Sequence, residues 1–229
     1  MHVPAQGAVR SVPTGLRMLL LAMVAIAGAH LLDGWMFRHF RVDGIYGEDW
    51  GRMLRVMGFA PLWLVAASAL VLHDAPLAAL SRWTRWARGV LLVAAVAVSG
   101  IAGELLKLLL RRERPWAHDG AYVFRPFTER PFSTGGLAWP SSHAIVAFGA
   151  AAMLSRLFPR ARIVFWALAW GCGLTRVAAG AHFFSDIVTA AAAAWLLTAL
   201  VWRAHARRRP AAHASIGPPP ALSAEVATG

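Results

Sequence analysis

The chain has 229 residues, of which 58% are hydrophobic and only 15% charged, and its mean hydropathy is +0.53. That balance excludes an ordinary soluble domain of this length and points to a polytopic membrane protein. The net charge of +12 rests on 22 arginines and one lysine, Lys107, set against 11 acidic residues. These arginines stand at the ends of apolar runs rather than on one polar domain, which argues against a nucleic-acid partner and fits the loop charge of a membrane protein. Cys172 is the single cysteine, so no internal disulfide can form.

Residues 1–15 read as a short cytoplasmic lead, followed by a first apolar run from Leu16 to Leu32. Ala25-Ile26-Ala27 resembles a signal-peptidase site, so a cleaved signal is the alternative to an uncleaved helix. The run continues past that site to spanning length, which favours the uncleaved helix. Asp33 to Arg52, polar and aromatic with Trp35 and Trp50, reads as an exported loop with interfacial tryptophans. A second run spans Met53 to Leu72, the basic SRWTRWAR turn (Ser81 to Arg88) follows, and a third run covers Gly89 to Leu106. Lys107 to Pro140 is rich in proline and glycine and forms the longest loop. The fourth run is Ala144 to Leu157, with Arg156, Arg160 and Arg162 beyond it; the fifth is Ile163 to Gly173, continuing toward Ala179; the sixth is Phe184 to Trp202.

Alternation of the arginine-rich turns predicts an all-α fold: one domain over residues 16–206, a six-helix transmembrane bundle with both ends cytoplasmic. Residues 207–229, basic and then rich in alanine and proline, read as a disordered cytoplasmic tail. This topology puts the 107–143 loop and the turn from Ala179 to Phe183 on the same, exported face.

Three polar stretches collect on that face. In KLLLRRERP (107–115), Lys107 and Arg114 are seven residues apart and share a helix face if the third helix continues that far. Charges there can equally be a solvated helix end. In WPSSH (139–143), Ser141 or Ser142 suits a helix N-cap; backbone amides at such a start also bind anions, and His143 can hand on a proton. In TRVAAGAHFFSD (175–186), Asp186 follows His182 by four residues, the spacing of an oriented imidazole if a helix begins near His182. A histidine held by a carboxylate for structural reasons alone is the other reading. Arg111, Arg112, Arg125 and Arg130 read as solvated loop arginines, and Glu113, Asp119 and Glu129 as solvated carboxylates.

Taken together, K-x6-RP, PSSH and TR-x5-H-x3-D resemble the three-block signature of the type 2 phosphatidic acid phosphatase and vanadium haloperoxidase superfamily, with every spacing met over about 80 residues. Two residues depart from the pattern: Ser142 stands where the family has glycine, which adds bulk near a phosphate, and Thr175 stands where it has serine, which keeps a hydroxyl.

The resemblance implies a membrane lipid phosphatase working through a phosphohistidine. His182 would be the nucleophile, Asp186 its orienter, and His143 the acid and then base. Lys107, Arg114 and Arg176 would clamp the phosphoryl oxygens, aided by Ser141 and the amide of Ser142. It implies no metal and no cofactor, and the chain separately lacks the clustered carboxylates of a two-metal site. Expected partners are the bilayer and a lipid phosphate: undecaprenyl diphosphate, phosphatidic acid, phosphatidylglycerol phosphate or lipid A phosphate, all substrates of similar family members. The expected location is the inner membrane, multi-pass, with the site facing the periplasm or exterior. The rivals are a vanadate-dependent haloperoxidase, a transporter and a non-catalytic scaffold. Charged residues gathered at span ends on one side disfavour the transporter.

Overall fold

The computed structural model describes residues 14–76 and 82–208. The expected lead up to residue 13, the first residue of the basic turn and the tail from 209 onward lie outside these residues. Among those described the chain forms α1 (Thr14–His39), α2 (Asp49–Val56), α3 (Ala60–Asp74), α4 (Arg82–Leu110), α5 (Ser142–Leu157), α6 (Arg162–Ala178) and α7 (Phe184–Arg207), with no β-structure beyond two isolated bridges in the long loop.

Local chemistry sets the ends that matter. Arg111 adopts a left-handed backbone (φ 54°) and closes α4 at Leu110, so Arg114 leaves on extended backbone rather than on the helix. Lys107 and Arg114 therefore do not share a helix face, contrary to the sequence expectation. Ser141 caps α5, its Oγ accepting the Ala144 N–H at 3.4 Å. Gly180, at φ 64°, makes the tight turn between α6 and α7.

α5 is the hub, packed against α4, α6 and α7. Ile145, Phe148, Cys172 and Ile187 form one core between α5, α6 and α7, while Leu92, Val96 and Met153 form a second between α4 and α5. Close approach depends on missing side chains. A Cβ at Gly149 would lie 2.5 Å from Ser99 Oγ, and one at Gly173 would lie 2.4 Å from Ile187 Cγ2.

By length and composition α1, α4 and α7 are long and apolar enough to cross a membrane, and α2 with α3, bent by 68°, makes a fourth candidate. α5 and α6, at 16 and 17 residues, are shorter than a full span. Two boundaries differ from the sequence reading. The second apolar run begins with a separate short helix, because Gly58 and extended Phe59 interrupt it. The first helix runs on to His39, so Asp33 lies inside α1 and is buried, not in a solvated loop. Asp33 escapes hydropathy analysis because its partners come from distant elements: Oδ1 accepts the Ser185 N–H at 2.7 Å and Oδ2 the Tyr122 hydroxyl at 2.5 Å.

Candidate active site

The three polar stretches meet at one end of the bundle, where α4 ends, α5 begins and the α6–α7 turn crosses. His182 sits in that turn, ahead of α7, and is only 2% exposed. Its Nδ1 is 3.0 Å from the carbonyl of Ala138 and 3.4 Å from Asp186 Oδ2. A carbonyl oxygen can only accept, so Nδ1 carries the proton and Nε2 keeps its lone pair. Burial, partly opposed by Asp186, pushes the imidazole down to about 3, so it stays neutral at any physiological pH.

Asp186 lies at the third position of α7 and is fully buried. One of its oxygens accepts the Phe183 N–H at 2.7 Å, the reach-back that starts the helix; the other accepts from Arg112. The His182/Asp186 pair is thus built by a turn and a helix cap, not by two residues on one helical face as the spacing suggested.

Arg112 is the largest departure from the sequence reading. Expected to be solvated, it is 1% exposed, with its guanidinium 4.5 Å from the Trp139 ring centroid and 4.9 Å from those of Tyr122 and Phe183. It donates to Asp186 and, at 2.8 Å, to Ser185 Oγ, and Asp33 lies 4.0 Å away. Its backbone carbonyl accepts the Ala138 N–H at 2.7 Å. One residue therefore fixes both groups that face His182 Nδ1. Two neighbours also depart from expectation. Arg111 is buried and donates to the carbonyls of Arg125 (3.0 Å), Pro126 (3.0 Å), Glu129 (2.5 Å) and Pro131 (3.3 Å), which shapes the long loop. Glu113 is held between Arg125 (2.7 Å) and His118 (2.5 Å), and these partners keep its carboxyl below the usual range.

The cations of the signature gather at the same end of the bundle. Lys107 is buried, donates to Ser142 Oγ and pairs with Glu104 Oε1 at 3.5 Å; Ser142 in turn donates to the same carboxylate oxygen at 2.5 Å. Arg176, in the last turn of α6, donates to the Tyr46 hydroxyl at 2.8 Å, and Tyr46 donates to the Thr175 carbonyl at 3.1 Å. The Nε atoms of Arg114 and Arg176 are buried without a partner. His143, in the first turn of α5, lies within the electrostatic reach of Arg176, Arg55, Lys107 and Arg114. A Cβ at Gly58 would lie 2.5 Å from His143 Cβ, so the α2–α3 break rests directly on this histidine. The Ser141 hydroxyl is engaged in the helix cap, as the alternative reading had it.

Sequence reasoning missed Asp33, Arg55, Glu104 and the Ala138 carbonyl. Glu104, three residues before Lys107 on α4, carries a helical spacing signal that could have found it; Asp33, Arg55 and the Ala138 carbonyl carry none, because each meets the site only through the fold.

A neutral, oriented histidine thus shares one end of the helical bundle with a cluster of incompletely paired cations, an arrangement that can hold an anion. The PAP2 superfamily model matches residues 88–210, more than half of the chain, and the chain belongs to that superfamily. It is 39% identical over 112 residues to a lipid A 1-phosphatase of Rhizobium johnstonii, covering 47% of this chain and 45% of that protein. It is 38% identical over 116 residues to a lipid A 1-phosphatase of Rhizobium etli, covering 48% of this chain and 49% of that protein. The match thus spans about half the length of these curated relatives. In fold the chain is similar to a transmembrane PAP2-type phosphatidylglycerolphosphate phosphatase from Bacillus subtilis, with a TM-score of 0.57 and 17% identity over 85% of this chain and 97% of that one.

Proposed function

We propose that the protein is an integral-membrane phosphatase that hydrolyses a lipid phosphate or diphosphate through a phosphohistidine. The observation that carries this reading is the commitment of His182 Nδ1–H to the Ala138 carbonyl, which leaves Nε2 free as a nucleophile at the bundle end that gathers Lys107, Arg114 and Arg176.

In the first step the incoming phosphate anion offsets the cations around His143 and lets its imidazole take up a proton. Nε2 of His182 attacks phosphorus, and the P–O bond to the leaving group breaks as His143 gives that oxygen the proton. Positive charge that develops on His182 is balanced by Asp186, itself held by Arg112. In the second step His143 takes a proton from water, whose oxygen displaces His182 and releases phosphate. Lys107, Arg114 and Arg176, with the amide of Ser142 at the α5 start, neutralise the equatorial oxygens throughout, and charge stabilisation of this kind supplies most of the catalysis in phosphoryl transfer. A metal has no separate task in this scheme.

The lipid tail stays in the bilayer while the headgroup enters from the polar end. The chain crosses the inner membrane six times, with α5 and α6 as its short spans, and the site faces the exported side. Lipid A phosphate comes first among the substrates to be tried, since the relatives at 38–39% identity are named for that activity. Undecaprenyl diphosphate, phosphatidic acid and phosphatidylglycerol phosphate complete the panel. Phosphate release from this panel by detergent-purified protein, run beside His182→Ala, tests the reading: the variant is to lose at least about a thousandfold in turnover and all phosphoenzyme labelling. Inactivity of the unaltered protein on every lipid would overturn it.

A further inference from the structure

Next to the cation cage lies a cavity of about 360 Å³ whose lining includes Tyr46, Arg55, Arg114, Trp116 and Arg176. Arg114 and Arg176 belong to the three-block signature; Arg55 does not. It comes from α2, the eight-residue helix that precedes the break at Gly58 and exposes Trp50, Met53 and Val56 on another part of its surface. Its guanidinium lies 4.7 Å from the centroid of the Tyr46 ring, which Arg176 also approaches at 5.6 Å. Tyr46 therefore holds two arginines beside one cavity, one through its hydroxyl and both through its ring.

None of Arg55, Arg114 and Arg176 forms an ion pair among the described residues. The cavity's one carboxylate, Asp43, is exposed and is paired outward with Arg41 at 3.1 Å. Burial, followed by the charges of Arg176 and Arg55, holds Arg114 below its ordinary range, so the three cations lie close enough to repel one another.

Charge decides what this arrangement fits. With Lys107 offset by Glu104, the cage of Lys107, Arg114 and Arg176 retains two positive charges, which match a phosphomonoester at about −1.5 to −2. Arg55 adds a third, which a monoester leaves unmatched and a second phosphoryl group matches.

We propose that Arg55 is a further substrate-binding residue, which with Tyr46 extends the cage of Lys107, Arg114 and Arg176 to a second phosphoryl group, so that the enzyme favours diphosphate over monophosphate headgroups. This inference rests on the phosphatase reading for its lipid, but its binding test does not.

The test measures, by calorimetry in detergent, binding of orthophosphate and of imidodiphosphate, a non-hydrolysable diphosphate, to the unaltered protein, Arg55→Gln and Arg52→Gln. Arg52 is an exposed arginine of the same helix, paired with Asp49 and absent from the cavity lining, so its variant controls for net charge. Arg55→Gln is to weaken imidodiphosphate binding about tenfold and orthophosphate less than about threefold, with Arg52→Gln changing neither. In turnover, Arg55→Gln is to raise the KM of a lipid diphosphate about tenfold at near-constant kcat, and that of the matching monophosphate far less. An unchanged ratio of the two affinities, or the same ratio change in Arg52→Gln, overturns the subsite. Anion binding without hydrolysis of any lipid would overturn the phosphatase reading, while the subsite would stand or fall on the affinity ratio.

Discussion

Arg112 and Asp186 form a fully buried ion pair behind His182, although they are 74 residues apart in sequence. With Asp33 4.0 Å from the same guanidinium, two carboxylates share one cation, and Ser185 and the Tyr122 hydroxyl supply the remaining donors. Such a pair is not a large net source of stability, because desolvation offsets much of its attraction, yet breaking it leaves a buried charge uncompensated. Arg112→Ala should therefore cost about 3–5 kcal/mol of stability, read as a fall in the unfolding midpoint in detergent. Arg112→Lys should fold better but lose kcat with little change in KM, because an ammonium cannot bridge Asp186 and Ser185 as the planar fork does. Unchanged kcat in Arg112→Lys would show that Asp186 needs no such support.

His182 should not titrate in the range of an ordinary histidine. Its folded value of about 3 lies below the ordinary 6.5, so between these limits the unfolded chain binds a proton that the folded chain does not. This contribution to stability is present above about pH 6.5 and is progressively lost as pH falls toward 3. Imidazole ¹⁵N spectra, with His182 assigned by comparison with His182→Asn, should show one neutral Nδ1–H ring from pH 8 to pH 5. A midpoint near 6.5 would contradict the buried, carbonyl-bound geometry.

Glu104 places a carboxylate against the lysine of the cage, and Ser142, where the family has glycine, bridges the two. Glu104→Gln should leave Lys107 less neutralised and tighten product inhibition by orthophosphate by about fivefold to tenfold, an effect in the range of one charge-assisted contact. Ser142→Gly should remove the bridge, keep turnover within about threefold and change the phosphate inhibition constant in the same direction. Weaker phosphate inhibition in Glu104→Gln would mean that the carboxylate positions Lys107 more than it opposes the substrate.

Chelation gives a test of mechanism independent of mutation. Because Lys107, Arg114 and Arg176 are assigned the charge neutralisation that a metal would otherwise supply, activity should persist in excess EDTA. Loss of activity in EDTA that a divalent ion restores would count against the histidine mechanism.

The amino-acid sequence by itself determined the membrane class and the course of most helices, since long apolar runs admit few other readings and Pro, Gly and Ser mark where they stop. It also determined the residues of the signature, because Lys107, His143, Arg176, His182 and Asp186 keep spacings that a local pattern can display. Tertiary structure alone decided what surrounds them. Asp33 reaches Ser185 across 152 positions, Arg112, two residues before the signature's Arg114, turns inward into an aromatic cage, and Ala138 offers His182 a backbone oxygen that no residue type encodes. Arg55 lines the cavity because α2 folds back against α6 and the bend at Gly58 sets that helix over His143. Hydropathy and spacing report a side chain's own chemistry and its near neighbours, whereas burial of a charge depends on partners that only the folded chain brings within a few ångströms.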